Sequence, residues 1–307
     1  MNRIIITDLP KPHDEVKGCW YNGYPIHKGY TENSLNYATV YSHQNHILPD
    51  LKRIKNDFKN FKKALQAAGF EVYTLPFPEE LNQVDNLHHD AVFVRDSGLI
   101  FKDCWIKARF SATNRQMESE IYAPIIAKTF NKRVVELPGD AYLELGEVFY
   151  LQTKQGTFYF GGLSRSNKIG HDFAQSVIQA DHYCLLRSQG YHLDTVFSPV
   201  LSQANEIIAF IVREDLFSRE CLEALKRFNI EIIRIDPIDS SGVEGNLGNY
   251  AVNALVGPGV LLNAAEFLTP GVEAKLKSLN IKRYVTPLND FRNAGGSCHC
   301  LTNEIYE

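Results

Sequence analysis

Five stretches of helical periodicity begin near residues 49, 117, 170, 216 and 270, each set among short runs of strand-forming residues. Their starts lie about 46 to 68 residues apart, a loose repeat that restricts the fold, because one helix among short strands needs neighbouring units to bury its apolar face. The first helix carries the clearest stripe. Leu48, Leu51, Ile54, Phe58, Phe61 and Leu65 recur at steps of three and four between Pro49 and Gly69. Helices over 117–130, 170–180, 216–228 and 270–279, the last capped by Thr269, continue the pattern. Strands are expected at 3–9, 71–77, 91–94, 98–101, 105–110, 133–137, 191–200, 207–211, 230–235, 250–255, 260–263 and 283–286, with a hairpin turning on Lys154-Gln-Gly156. Residues 10–47 show no period and read as a long loop of the kind that often serves as a lid. No linker of biased composition interrupts the series, so residues 1–307 are expected to form one α/β domain of five modules arranged radially.

Composition narrows the function more by exclusion. With 44% hydrophobic and 22% charged residues the chain can bury a sizeable core, and disordered and fibrous classes fall away. A net charge of −4 without a basic block gives neither nucleic acid nor an anionic membrane a surface to read, leaving a small molecule as the expected partner. Nothing in the sequence speaks against a homo-oligomer. The six cysteines are scattered rather than framed for disulfides, which suits a reducing compartment and a cytoplasmic location. The apolar run after Met1 is short for a signal sequence, and no segment reaches the roughly 20 apolar residues of a membrane span.

Reactive chemistry gathers at the tail. Gly295 and Gly296 permit a turn or a close approach, and Cys298-His299-Cys300 follows at once. Two plainer readings compete: half-buried residues of a terminal strand, or a metal corner, although no Cys-x-x-Cys or His-x-x-x-His partner exists elsewhere. Upstream, strand alternation would put His192 and Asp194 on one face. Asp90-Ala-Val-Phe-Val-Arg-Asp96 places an acidic pair at a strand end, where turn capping is the plain alternative, and Glu144-Leu-Gly-Glu147 precedes the hairpin.

Taken in order, Phe93-Val-Arg-Asp96, Arg109, Arg115, Glu118, Glu144-Leu-Gly-Glu147, Arg165-Ser-Asn167, His192-Leu-Asp-Thr195 and Gly295-Gly-Ser-Cys-His-Cys-Leu-Thr302 resemble the guanidino-modifying superfamily, the penteins. The resemblance spans about two thirds of the chain. It implies a five-bladed α/β propeller of ββαβ-like modules with its site in the central channel. It also implies Cys300 as nucleophile, with Cys298 at a variable position, His192 as the proton-transferring base and acid, and Glu144 as the carboxylate that holds the imidazole. Leu145 and Glu147 depart from the family's Glu-Gly-Gly-Asp, and Asp140 competes with Glu144 for that role. Asp96, Asp194 and Asp90 are the expected substrate carboxylates, and Arg115 and Arg165 match positions that grip an α-carboxylate.

The chemistry agrees with these assignments. A guanidinium carbon is a poor electrophile within a delocalised cation, so the site must present carboxylates to its N–H groups and a thiolate to its carbon. A thiol of ordinary pKa about 8.5 ionises when a cation lies close. No metal or organic cofactor is called for. The expected activity is hydrolysis of a guanidino compound, most like an arginine deiminase. Amidinotransfer to an amine, hydrolysis of dimethylarginine or agmatine, and a non-catalytic binding propeller remain as alternatives.

Overall fold

The computed structural model describes residues 3–11, 37–83 and 86–307, so Cys19 and most of the expected loop 10–47 lie outside the described residues. The last part of that stretch is helical, forming α1 (Tyr37–Gln44). The chain proper begins with β1 (Arg3–Thr7), α2 (Leu51–Ala67) and β2 (Glu71–Leu75), β1 and β2 running parallel. A regular pattern follows. β3 (Gly98–Phe101) pairs antiparallel with β4 (Cys104–Lys107), and α3 (Gln116–Phe130) returns the chain to β5 (Arg133–Val135), parallel to β4. The same order recurs as β6 (Val148–Thr153), β7 (Gly156–Gly162), α4 (Lys168–Ile178) and β8 (His182–Leu186). It recurs as β9 (Phe197–Leu201), β10 (Ile207–Val212), α5 (Arg219–Lys226) and β11 (Glu231–Arg234). A further round is β12 (Leu255–Gly257), β13 (Val260–Asn263), α6 (Val272–Ser278) and β14 (Lys282–Val285). After α7 (Asn289–Asn293), β15 (Asn303–Tyr306) pairs antiparallel with β1 and supplies the first module's missing strand. The two ends of the chain thus complete one ββαβ module.

The modules close a ring. β15 also runs parallel to β3, joining the first module to the second, and a bridge between Arg109 and Leu143 joins the second to the third. Phe149 meets Phe197 edge-on at 5.6 Å between the third and fourth, and β9 lies against β12 between the fourth and fifth. Leu255 and Leu262 then share a buried cluster with Ile4 and Phe291, returning the fifth to the first. This is the five-bladed α/β propeller that the resemblance implies, with the five radial modules that the helix spacing suggests.

Helix α2 shows how the elements are specified. Ile54, Phe58, Phe61 and Leu65 are buried at steps of three and four, each worth about 1.5–3 kcal/mol of apolar burial. Asp50 caps the first turn by accepting from the N–H groups of Lys52 and Arg53, and Gly69 ends the helix at φ +90°. Leu48 and Leu51 are exposed, so the stripe is one turn shorter than the sequence predicts. Thr269 does not cap α6, which starts after Gly271; its hydroxyl and N–H instead bond to Asp239 Oδ2.

Three expected strands are corrected. Residues 91–94 fall within two 3₁₀ turns (His89–Val92 and Val94–Ser97), the span 191–200 opens with a 3₁₀ turn (Leu193–Thr195) before β9, and β12 starts only at Leu255. Each of these segments is an entry to the ring, where the backbone must turn before it can pair. β8 and α7 were not foreseen. Among the described residues no helix is long and apolar enough to cross a membrane.

Candidate active site

Asp96, Glu144, His192, Asp194 and Cys300 share a topological place, immediately upstream of the first strand of a module, whereas Arg115 and Arg165 precede α3 and α4. Asp96 lies in the turn before β3, Glu144 and Glu147 before β6, His192 and Asp194 before β9, and Cys300 before β15. Asn253 holds the same place before β12. Tight 3₁₀ turns in three of these segments bring the side chains together from different modules. The segment before β15 is likewise a hydrogen-bonded turn, with Leu301 N–H donating to Ser297 O and Thr302 N–H to His299 O. Cys298 and Cys300 therefore do not share a strand face.

Glycine makes this convergence possible. A Cβ on Gly146 would stand 2.5 Å from His192 Nδ1 and 2.9 Å from Asp96 Oδ1, and one on Gly296 would overlap the Phe93 ring at 2.2 Å. Gly295 takes φ +84°, the left-handed conformation that turns the tail toward the centre. Arg95 fastens the result. Its buried guanidinium pairs with Glu304 and donates from Nε to His299 O at 3.2 Å, while its N–H reaches Cys300 O.

His192 Nε2 lies 2.8 Å from Glu144 Oε2, and the other Glu144 oxygen accepts from the N–H (2.8 Å) and hydroxyl (2.7 Å) of Ser111. Burial alone would lower the His192 imidazole, but the charges of Asp96 and Glu144 outweigh it and hold it up at about 9. Burial likewise opposes ionisation of Glu144, yet the bond to His192 and the charge of Arg165 bring its carboxyl down to about 2. The pair is an imidazolium held by a carboxylate. Asp140 is exposed and does not compete: its carbonyl accepts from Asn167 Nδ2. Glu147, at the divergent motif position, ties two other backbone segments to its own by accepting from the N–H groups of Ser164 and Arg165 and from that of Leu193.

Asp96 is held from two sides, Oδ1 by the N–H of Gly146 at 3.0 Å and Oδ2 by Arg115 Nη1 at 2.8 Å. Arg115 also grips Glu118 through Nε (2.9 Å) and Nη2 (2.8 Å) and is buried over the Phe110 ring. Its Nε, Nη1 and Nη2 are thus each engaged by a carboxylate inside the protein. Arg165 lies over the Tyr191 ring at 4.7 Å with Nε 3.4 Å from Glu144. Asp90 accepts from Arg115 through its backbone carbonyl, and desolvation pushes its carboxyl well up.

The thiol sits among polar groups. Cys300 Sγ is 3.5 Å from Asp194 Oδ2 and 3.1 Å from Asn253 Nδ2. Asp194 Oδ2 also meets His299 Nδ1 at 2.8 Å, while Asp194 Oδ1 is buried and has no hydrogen-bond partner among the described residues. Burial, with the Asp96 charge adding to it and His192 pulling the other way, raises the Asp194 carboxyl to about 7. Burial first, and then the charges of Asp194 and Asp96, push the Cys300 thiol well above its ordinary value. These surroundings favour the neutral thiol. Cys298 is fully buried in an apolar cluster, which also pushes its thiol up.

Residues 36–307 match the model of a family described as N,N dimethylarginine dimethylhydrolase, eukaryotic. The chain belongs to this family. It is 23% identical over 258 residues to an uncharacterised protein of Caenorhabditis elegans, covering 82% of this chain and 83% of that protein. It is 27% identical over 223 residues to the bifunctional arginine dihydrolase/ornithine cyclodeaminase ArgZ of Synechocystis, of whose length the match spans 29%. The structure is similar to the substrate-bound N-terminal domain of cyanobacterial ArgZ, with a TM-score of 0.75 at 20% identity over 100% of this chain and 99% of that one. That likeness shows the fold, the α/β propeller of the penteins. The family's enzymes are hydrolases of C–N bonds in guanidino groups, and the chain is a hydrolase of that class.

Proposed function

We propose that residues 1–307 act as one unit that hydrolyses arginine to citrulline and ammonia in the cytoplasm, through a covalent thiouronium adduct on Cys300. The observation that supports this reading is Asp194 Oδ1, buried and without a hydrogen-bond partner among the described residues, in the carboxylate nearest the thiol. An orphaned buried carboxylate oxygen is costly and calls for a donor, and a guanidinium supplies N–H groups around an electrophilic carbon.

The chemistry follows from the charges. A guanidinium entering beside Asp194 and Asp96 offsets the carboxylates that keep Cys300 protonated, so the substrate itself favours the thiolate, the thiol proton passing to solvent. Sulfur attacks the guanidinium carbon, and the His192 imidazolium protonates one terminal amino group, which leaves as ammonia. The neutral imidazole then takes a proton from water as hydroxide adds to the thiouronium carbon, and collapse expels the Cys300 thiolate while the adduct's hydroxyl proton passes to solvent, releasing the ureido product. Glu144 keeps His192 oriented and charged throughout. Arg165 is the remaining arginine for the α-carboxylate.

A second reading takes dimethylarginine as substrate and is favoured by the family match over 36–307. Methylation removes N–H donors facing the carboxylates, so the arginine reading expects asymmetric dimethylarginine to be turned over at least about tenfold more poorly. Measuring kcat/KM for arginine, asymmetric dimethylarginine and agmatine, on wild type and Asp194→Asn, separates the two. A wild-type preference for the methylated compound overturns the arginine reading, and an equal rate for agmatine removes the α-carboxylate grip from it.

A further inference from the structure

We propose that Asn253 is a catalytic residue, its side-chain N–H donating to Cys300 Sγ and stabilising the thiolate in a site whose carboxylates oppose it. This rests on the covalent reading above and deepens it by adding a group on the reacting atom.

The orientation of the amide is fixed by its neighbours. Asn253 Oδ1 accepts from the peptide N–H groups of His299 (3.1 Å) and Cys300 (3.3 Å), which can only donate. Turning the amide over would set its NH₂ against both of them. Nδ2 must therefore face the opposite way, toward Cys300 Sγ at 3.1 Å and Asp194 O at 3.2 Å. The sulfur thus meets one obligate donor and, at 3.5 Å, one carboxylate oxygen. A donor to sulfur is weak for a thiol and roughly twice as strong once the acceptor is charged, so this bond favours ionisation.

Topology supports the same assignment. Four modules deliver Asp96, Glu144, His192 with Asp194, and Cys300 from the segment before their first strand, and the fifth delivers Asn253 from the corresponding place. Asn253 is fully buried, and it links the nucleophile's turn to the backbone of Asp194. A single side chain therefore sets both the position of Sγ and its charge state.

The test follows alkylation of Cys300 by iodoacetamide as a function of pH in the full-length protein without substrate, with fragment ions distinguishing Cys300 from Cys298. Asn253→Ala is expected to slow alkylation at neutral pH on the order of tenfold and to move the profile to higher pH. Asn253→Asp keeps the oxygen that accepts from His299 and Cys300 while replacing the donor with a second oxygen, so its profile should move further the same way. In steady state both should lose kcat with little change in KM. Profiles that superimpose on wild type, or a more reactive Asn253→Asp, overturn the proposal and leave Asn253 a packing residue. If wild type turns over no guanidine, the functional reading falls, yet the alkylation profiles still decide the role of Asn253.

Discussion

Cys300→Ser is expected to lower turnover on the order of 10⁴-fold or more, whereas Cys298→Ser should leave most of it. The contrast follows from surroundings two residues apart in one turn. Both cysteines belong to the buried cluster that holds Phe93, Phe291 and Leu301, but Cys300 Sγ also meets Asp194 and Asn253 at the convergence of the modules. Serine keeps the shape at either position, so stability should change little and the assay reads chemistry. Its hydroxyl is far harder to ionise than a thiol, and the adjacent carboxylates oppose any anion there. Steady-state kinetics of both variants against the best guanidine decide the matter, and a larger loss from Cys298→Ser would reverse the assignment.

His192→Gln should cost on the order of 10²-fold or more in kcat, since one imidazole serves both proton transfers. The pH profile gives a sharper expectation. Asp194 must be ionised to hold the guanidinium, so kcat/KM should rise through about pH 7, and His192 must be protonated to act as acid, so it should fall above about 9. Glu144→Gln removes a negative charge that stabilises the imidazolium, so the alkaline limb should move down in pH while the acid limb stays. An unmoved alkaline limb would mean that Glu144 does not set the charge of His192. Asp140→Asn, at an exposed position away from the imidazole, should leave the profile unchanged.

The ring was legible because it is repetitive. Each amphipathic helix requires a core partner, so the helix spacing suggests five modules arranged radially, and the motif resemblance supplies the propeller. Boundaries inside the modules were less legible for a physical reason. Val92, Phe93 and Val94 look like strand residues by composition, but they are buried where the chain turns into the ring, and burial rather than pairing accounts for their apolarity. Strand alternation is the wrong geometry for His192 and Asp194, because the backbone between them is a 3₁₀ turn. Both reach the centre because the turn precedes β9.

The site was legible where a motif carries chemistry and silent where position alone does. Cys300, His192 and Glu144 stand in recognisable strings, whereas Asn253 is one asparagine among many until the fifth module is seen to need a residue before β12. Arg115 shows the converse. Its sequence context promises a grip on substrate, but Asp96 and Glu118 lie within reach in the folded chain and take its donors.

The covalent role of Cys300 is tested most directly by mixing wild-type protein with excess arginine, quenching in acid during the first turnovers, and mapping the protein by mass spectrometry. The account predicts an adduct on Cys300 heavier than the free thiol by the substrate less one ammonia, appearing no later than the ureido product. Product formation with Cys300 unmodified throughout, or the adduct on Cys298, would contradict it.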